Sequence, residues 1–321
     1  MANSSAVTVI LLSAYYGMDD LKPVYFSVFL ILYITIIMES LALMGVICVK
    51  KTLHEPMYFL VGNLAANGLY GSTALLPALL SNIFSHSHEL SLPCCQAQIY
   101  TIHTYAIVEF TILAAMSYDR YVAICYPLQY QAVMPLSRVY RLIIFTWLYP
   151  LVAFLIVFIL TLNLQFCEKT LDKLYCVNYS LVKLSCSDTS MVNIVGLLSV
   201  VVYACPQLIM VLYSYIQILR ICALSSKESR LKALRTCTPH LLAVINYSIG
   251  CFFEIAQSRF NLSHLPYKTK VFLSLYFLIF PPILNPAIYG LSIQAIRVPL
   301  LNLFQHKNKV APAQQPGVKW A

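Results

Sequence analysis

Few residues in this chain can do chemistry, and their placing limits what that chemistry is. Asp119 and Arg120 stand together in Met116–Tyr130 (MSYDRYVAICYPLQY), and the run before them, Ile99–Ser117, holds one formal charge, Glu109. A carboxylate beside a guanidinium forms a charge-assisted pair. At the end of an apolar helix it serves as a contact made in one arrangement and broken in another. Glu39, Glu109 and Glu254 fall inside apolar runs, where an ionisable group is costly and needs a partner or water. Glu109 is expected in a polar network near Asn67 and Asn285, with an ion or ligand contact as the alternative; Glu39 is given no role. No nucleotide loop, nucleophile–base constellation or His/Cys ligand set with metal geometry is recognisable, so no enzyme, cofactor or metal is assigned.

His103 lies about four turns outward from Arg120, and Ala106, Ile107 and Phe110 share its face at helical spacing. Arg259, Ile255, Phe252 and Ser248 make a second stripe in a later apolar run, and Gly196, Ser199 and Tyr203 a third. These stripes would enclose a small, mainly apolar cavity with a few polar anchors, the usual form of a ligand site. The Arg259 guanidinium can hold a carboxylate at two points; the plainer reading is that it snorkels to an interface.

The elements that must position these residues follow from composition. The chain is 60% hydrophobic and 10% charged, against about 25% charged in soluble domains. Apolar runs at Val24–Val49, Met57–Leu80, Gln98–Ser117, Tyr140–Asn163, Met191–Ile221, Leu234–Ser258 and Lys270–Gly290 are each long enough to cross a bilayer. The expected fold is an all-α membrane protein, a bundle of seven transmembrane helices. The net charge of +9 lies in short loops between spans, which argues for topology rather than nucleic acid. Fourteen Lys and Arg fall on the Arg120 side and seven on the other, so the Arg120 side is expected to be cytoplasmic and the N-terminus outside. Residues 1–23 form the outer N-terminus, 24–290 the bundle, 291–304 a short amphipathic helix on the membrane surface and 305–321 a disordered tail. Without a basic stretch before Val7–Leu12, a cleaved signal peptide is not expected.

Asn3, Asn178 and Asn261 fit the glycosylation tripeptide on the expected outer side; Asn246 fits it inside a span. Cys94, Cys95, Cys167, Cys176 and Cys186 also lie on that oxidising side. The expected pairs are Cys95–Cys176, tethering the long loop Leu164–Ser190 to the third span, and Cys167–Cys186 closing the loop on itself. Other pairings among the five stay open.

Five motifs then fall in order: Leu53–Phe59 (LHEPMYF), Met116–Tyr130, Ser214-Tyr215 with Ile218, Lys232-Ala233 with Thr236-Cys237 and His240-Leu241, and Pro282–Tyr289 (PILNPAIY). Together, over about Thr52 to Arg297, they resemble the olfactory receptor branch of the rhodopsin-like G-protein-coupled receptors. The extra outer-loop cysteine pair fits that branch. Ser40 stands where such receptors usually carry Asn, and Gly68, next to Asn67, where they carry Asp. That speaks against a sodium site built on the Asp, although Glu109 offers another carboxylate. The differences resemble those of divergent, fish-type members.

The resemblance implies a plasma-membrane receptor that binds a small odorant and activates a heterotrimeric G protein of the stimulatory olfactory type, with cyclic AMP as output. Asp119, Arg120, Tyr121, Tyr215, Asn285, Pro286 and Tyr289 would form the switch. Tyr215 and Tyr289 would stabilise the released state, and Asn285 would help satisfy carbonyls freed by Pro286. Arg138, Arg220, Lys227, Arg230 and Arg235 would flank the G protein, and membrane lipids surround the bundle. The alternative is a non-olfactory receptor of the same fold. A transporter would call for inverted repeats, a light receptor for a Lys within Val271–Gly290, and an amine receptor for an acid within Ile99–Val108; none is present.

Overall fold

Proline opens the first three long helices: Pro23, Pro56 and Pro93 sit in the first turn of α1 (Lys22–Val49), α2 (Pro56–Ile83) and α3 (Leu92–Cys125). That position needs no N–H, and proline's fixed φ already suits a helix. The computed structural model describes residues 7–259 and 265–305. After α3 come α4 (Tyr130–Val133), α5 (Leu136–Leu162), α6 (Asn178–Val182), α7 (Ser190–Leu224), α8 (Lys227–Arg259), α9 (Tyr267–Ser292) and α10 (Gln294–Gln305).

Six of the long helices are apolar enough to span a bilayer by length and composition. The remaining one, α2, matches them in length at 28 residues, but Asn63, Asn67, Ser72 and three glycines dilute its apolar character. It can carry them because it lies inside, against α1, α3 and α9. The chain is a seven-helix membrane bundle, with α3 at its centre touching α2, α5, α7 and α8. The last carbonyls of α7 are taken by Arg230, whose Nε donates to Cys222 O (3.0 Å) and Nη2 to Ala223 O (3.1 Å). That closes the α7–α8 turn, so Arg230 has a structural task at the place expected to meet a G protein.

The end of the bundle away from Arg120 carries a roof. Residues Val9–Leu12 form strand β1, which pairs antiparallel with β2 (Glu89–Ser91) and parallel with β3 (Thr170–Leu171). A 3-10 turn, Ser13–Leu21, then leads into α1, burying Tyr15 and Met18. The N-terminal segment, expected only as an outer tail, is thus part of the packed structure. Both expected disulfides are present, Cys95–Cys176 and Cys167–Cys186. Asn178 corrects the glycosylation expectation: it is 9% exposed, opens α6, and its Oδ1 accepts from Thr161 Oγ1 at 3.0 Å. A glycan on that amide would disrupt the packing of the folded loop. Asn3, Asn261 and the tail 306–321 lie outside the described residues.

At the other end, α10 covers the stretch expected as an amphipathic helix and turns Ile296 inward against α1 and α9.

Candidate functional site

At the Arg120 end, Asp119 is held from two directions. Arg120 donates to Asp119 Oδ2 through Nε at 3.0 Å and through Nη2, and Tyr130 donates its hydroxyl to Oδ1 at 2.7 Å. Burial first, and then the Asp119 carboxylate, push the Tyr130 phenol pKa upward, so it remains a donor. Tyr121 turns elsewhere, its ring edge-on to Tyr126 and Tyr213 at 5.7 Å each. It braces the α3–α7 seam and makes no bond to Asp119.

About two turns deeper, His240 of α8 bridges two helices. Its Nε2 faces Leu113 O on α3 at 3.0 Å, and its Nδ1 faces the Tyr215 hydroxyl on α7 at 2.5 Å. A carbonyl can only accept, so Nε2 carries the proton and Nδ1 accepts from Tyr215. His240 was visible only as one letter of a motif; its signal, a histidine in an apolar helix, carried no partner. Tyr289 is fully buried, and its hydroxyl makes no hydrogen bond among the described residues.

At mid-depth, Glu109 accepts from Asn67 Nδ2 (2.7 Å) and from Asn285 Nδ2 (2.6 Å), joining α2, α3 and α9. Asn285 therefore donates to Glu109 instead of to a carbonyl freed by Pro286. Gly68 lies at a close approach of α2 and α9, where a Cβ would sit 3.2 Å from Pro282 Cα. The two helices touch at that point, and the neighbouring Asn67 reaches the carboxylate.

The outer half corrects the expected cavity. On α8, Phe252 is 65% and Ile255 54% exposed, and Ser248, also exposed, bonds back to Val244 O at 2.7 Å. This stripe faces away from the bundle. The inner face of α8 lies about a quarter-turn round: Tyr247 donates to Ala106 O at 2.6 Å and packs on Phe110, and Glu254 meets the outer loop. Tyr203 donates to Ala153 O at 2.6 Å and Ser199 bonds Gly196 O within its own helix, so the α7 stripe faces α5. His103 stacks on Phe154 of α5 at 4.6 Å, with Nδ1 at 2.9 Å from Ile99 O. Ile107, half-buried, gives its carbonyl to Thr111. The helix carrying Arg259 ends at that residue, and its side chain lies outside the description.

What gathers under the roof is a polar cluster with no spacing signal in the sequence. Tyr175, next to the tethered Cys176, donates to Glu254 Oε2 (2.7 Å) and lies 3.0 Å from Ser274 O. Burial first, then Glu254, raises the Tyr175 phenol pKa well above its usual value. Gln257 Oε1 accepts from Lys173 Nζ (3.2 Å) and Ser274 Oγ (2.6 Å). The loop, α8 and α9 thus meet around one carboxylate, one ammonium and three neutral polar groups.

A family model described as olfactory receptor matches residues 29–307. Human olfactory receptor 51G1 is 32% identical over 296 residues, covering 92% of both chains. Human olfactory receptor 51I1 is 34% identical across 88% of this chain and 90% of its own, and mouse olfactory receptor 4B13 is 30% identical across 91% and 94%.

Proposed function

Because this chain belongs to the olfactory receptor family, whose members are receptors and not enzymes, we propose that it binds a small odorant in the outer bundle and activates a G protein. The partner is the stimulatory olfactory type, with cyclic AMP as output, and the receptor sits in the plasma membrane with its N-terminus outside. The excess of Lys and Arg on the Arg120 side supports that orientation.

The observation that carries the reading is the bridge at His240. One side chain of α8 holds both α3 and α7, so an outward swing of this end of α8 breaks both bonds at once. It frees Tyr215 to meet Arg120 once Arg120 leaves Asp119. An odorant favours the open state only by its difference in affinity between the two states. The surface thereby offered includes Leu128, 100% exposed on the turn Pro127–Gln129, and the exposed Arg220, Lys227 and Arg235 of α7 and α8.

The ligand end we assign to the cluster of Tyr175, Glu254, Gln257 and Ser274, with Tyr247 and Phe110 below it. A carboxylate under the roof favours an odorant that donates a hydrogen bond or carries an ammonium group. Arg259, at the end of the same helix, is proposed as the anchor for acids. The deciding experiment is a screen of small acids, amines, aldehydes and amino acids against cyclic AMP in cells expressing the receptor. Glu254→Gln is expected to weaken donor-bearing agonists, and Arg259→Ala to abolish acid responses with surface expression intact. Unchanged dose–response curves in both variants reject the assigned anchors. A response that persists in cells lacking the stimulatory G protein rejects the coupling.

A further inference from the structure

The opening of α5 carries a feature that odorant binding does not use. A cavity of about 430 Å³ is lined by Ala132, Pro135, Arg138, Arg141 and Leu142. Its two guanidiniums are exposed and held in place by backbone: Arg138 Nη1 donates to Val133 O at 2.8 Å and Arg141 Nε to Ser137 O at 3.3 Å. Neither takes part in the two ion pairs among the described residues, Lys22–Asp19 and Arg120–Asp119. The groove is lined by two cations and no acid.

The helix continues that chemistry upward. From Arg138 and Arg141, steps of three and four residues lead to Phe145, Leu148, Val152, Leu155 and Ile159, all between 42% and 58% exposed. One stripe therefore runs from paired cations into an unbroken apolar face roughly 20 Å long at 1.5 Å per residue, long enough to carry an extended acyl chain. A soluble anion would use the cations but not the stripe. A lipid with a charged head uses both.

We propose that this groove binds an anionic phospholipid, its headgroup phosphate held by Arg138 and Arg141 and its acyl chain lying along the Phe145–Ile159 stripe. Arginine suits the task because its planar fork matches phosphate oxygens at two points. With the Arg120 end cytoplasmic, the site faces the leaflet rich in anionic lipid. The bound lipid would brace the segment that supplies Tyr130, which opens α4 eight residues before Arg138.

The test is native mass spectrometry of the full-length receptor in detergent, titrated with phosphatidylinositol 4,5-bisphosphate, with phosphatidylcholine and with soluble inositol 1,4,5-trisphosphate. The bisphosphate lipid is expected to bind at least tenfold more tightly than phosphatidylcholine, and the soluble headgroup not to displace it at equal concentration. Arg138→Gln with Arg141→Gln should weaken the lipid about tenfold, whereas Lys50→Gln with Lys51→Gln should leave it unchanged. Equal loss in the lysine pair means diffuse attraction and overturns the site. Displacement by the free headgroup makes it a site for soluble phosphate and also overturns it. Unchanged lipid binding in the arginine pair alongside lost G-protein coupling gives the groove to the protein partner instead. Should the arginine variant fail to fold, a photo-crosslinking bisphosphate lipid on the unaltered receptor decides: label within residues 132–145 supports the site, and label confined elsewhere refutes it.

Discussion

Glu109 and His240 are single side chains that each join three helices, so each concentrates the cost of a substitution. Glu109→Leu leaves the buried Asn285 amide without its acceptor, at about 1–3 kcal/mol, and Asn67 with only its bond to Tyr105 O at 3.1 Å. A marked fall in melting temperature of the purified receptor is expected. Glu109→Gln should be far milder. Its carbonyl accepts from one asparagine, and its amide can meet the other if that side chain flips, since both asparagine carbonyl oxygens are otherwise unbonded. Equal melting temperatures for the Leu and Gln variants would show that the network has no energetic weight. His240→Phe removes both bridge bonds at similar volume. At about 1 kcal/mol per bond, the open population should rise roughly 10- to 30-fold, read as raised basal cyclic AMP; Tyr215→Phe loses one bridge bond in the resting state and the proposed Arg120 contact in the open state, so its basal output should stay near that of the unaltered receptor. A silent His240→Phe receptor at normal surface density contradicts the latch.

At the scale of elements, the roof ties β1, the loop between α5 and α7, and the outer ends of α3, α8 and α9 into one layer. Its two disulfides close segments of very different size, with sequence separations of 81 and 19 residues. On the chain-entropy view the longer closure contributes about 1 kcal/mol more. The double variant Cys95→Ala/Cys176→Ala should therefore melt below Cys167→Ala/Cys186→Ala, and it also frees the loop segment holding Tyr175. The reverse order in a thermal unfolding series would place the stability in the inner loop. β1 has a test of its own. Leu11 N donates to Lys169 O at 2.7 Å, so Leu11→Pro removes a sheet bond and should lower odorant potency with little change in basal signalling.

For the whole molecule, the proposed function makes the helices one coupled system in which contacts at the Arg120 end set the resting state and the roof supplies the bias. Asp119→Asn weakens the hold on Arg120, and elevated basal cyclic AMP is expected without odorant. Coupling is reciprocal, so the same variant should bind agonist more tightly. Higher basal output with unchanged agonist affinity would mean that the two ends are not linked through a shared equilibrium.

Span number, the Asp119–Arg120 pair and the Glu109 network were legible from apolar runs, isolated charges and ordered motifs, which are local properties of a chain; the disulfide pairs Cys95–Cys176 and Cys167–Cys186 were the expected choice among several that the sequence left open. The inner face of α8 was not. Ser248, Phe252 and Ile255 form as regular a stripe as Tyr247 and Glu254 do, and in a membrane the outward face is as apolar as the inward one, so hydropathy carries no phase. The strand made by Val9–Leu12, the burial of Asn178 and the meeting of Tyr175 with Glu254 depend on segments far apart in sequence. Composition and motif determined that this is a seven-helix receptor of the olfactory family; only packing decided which side of each helix faces the bundle interior.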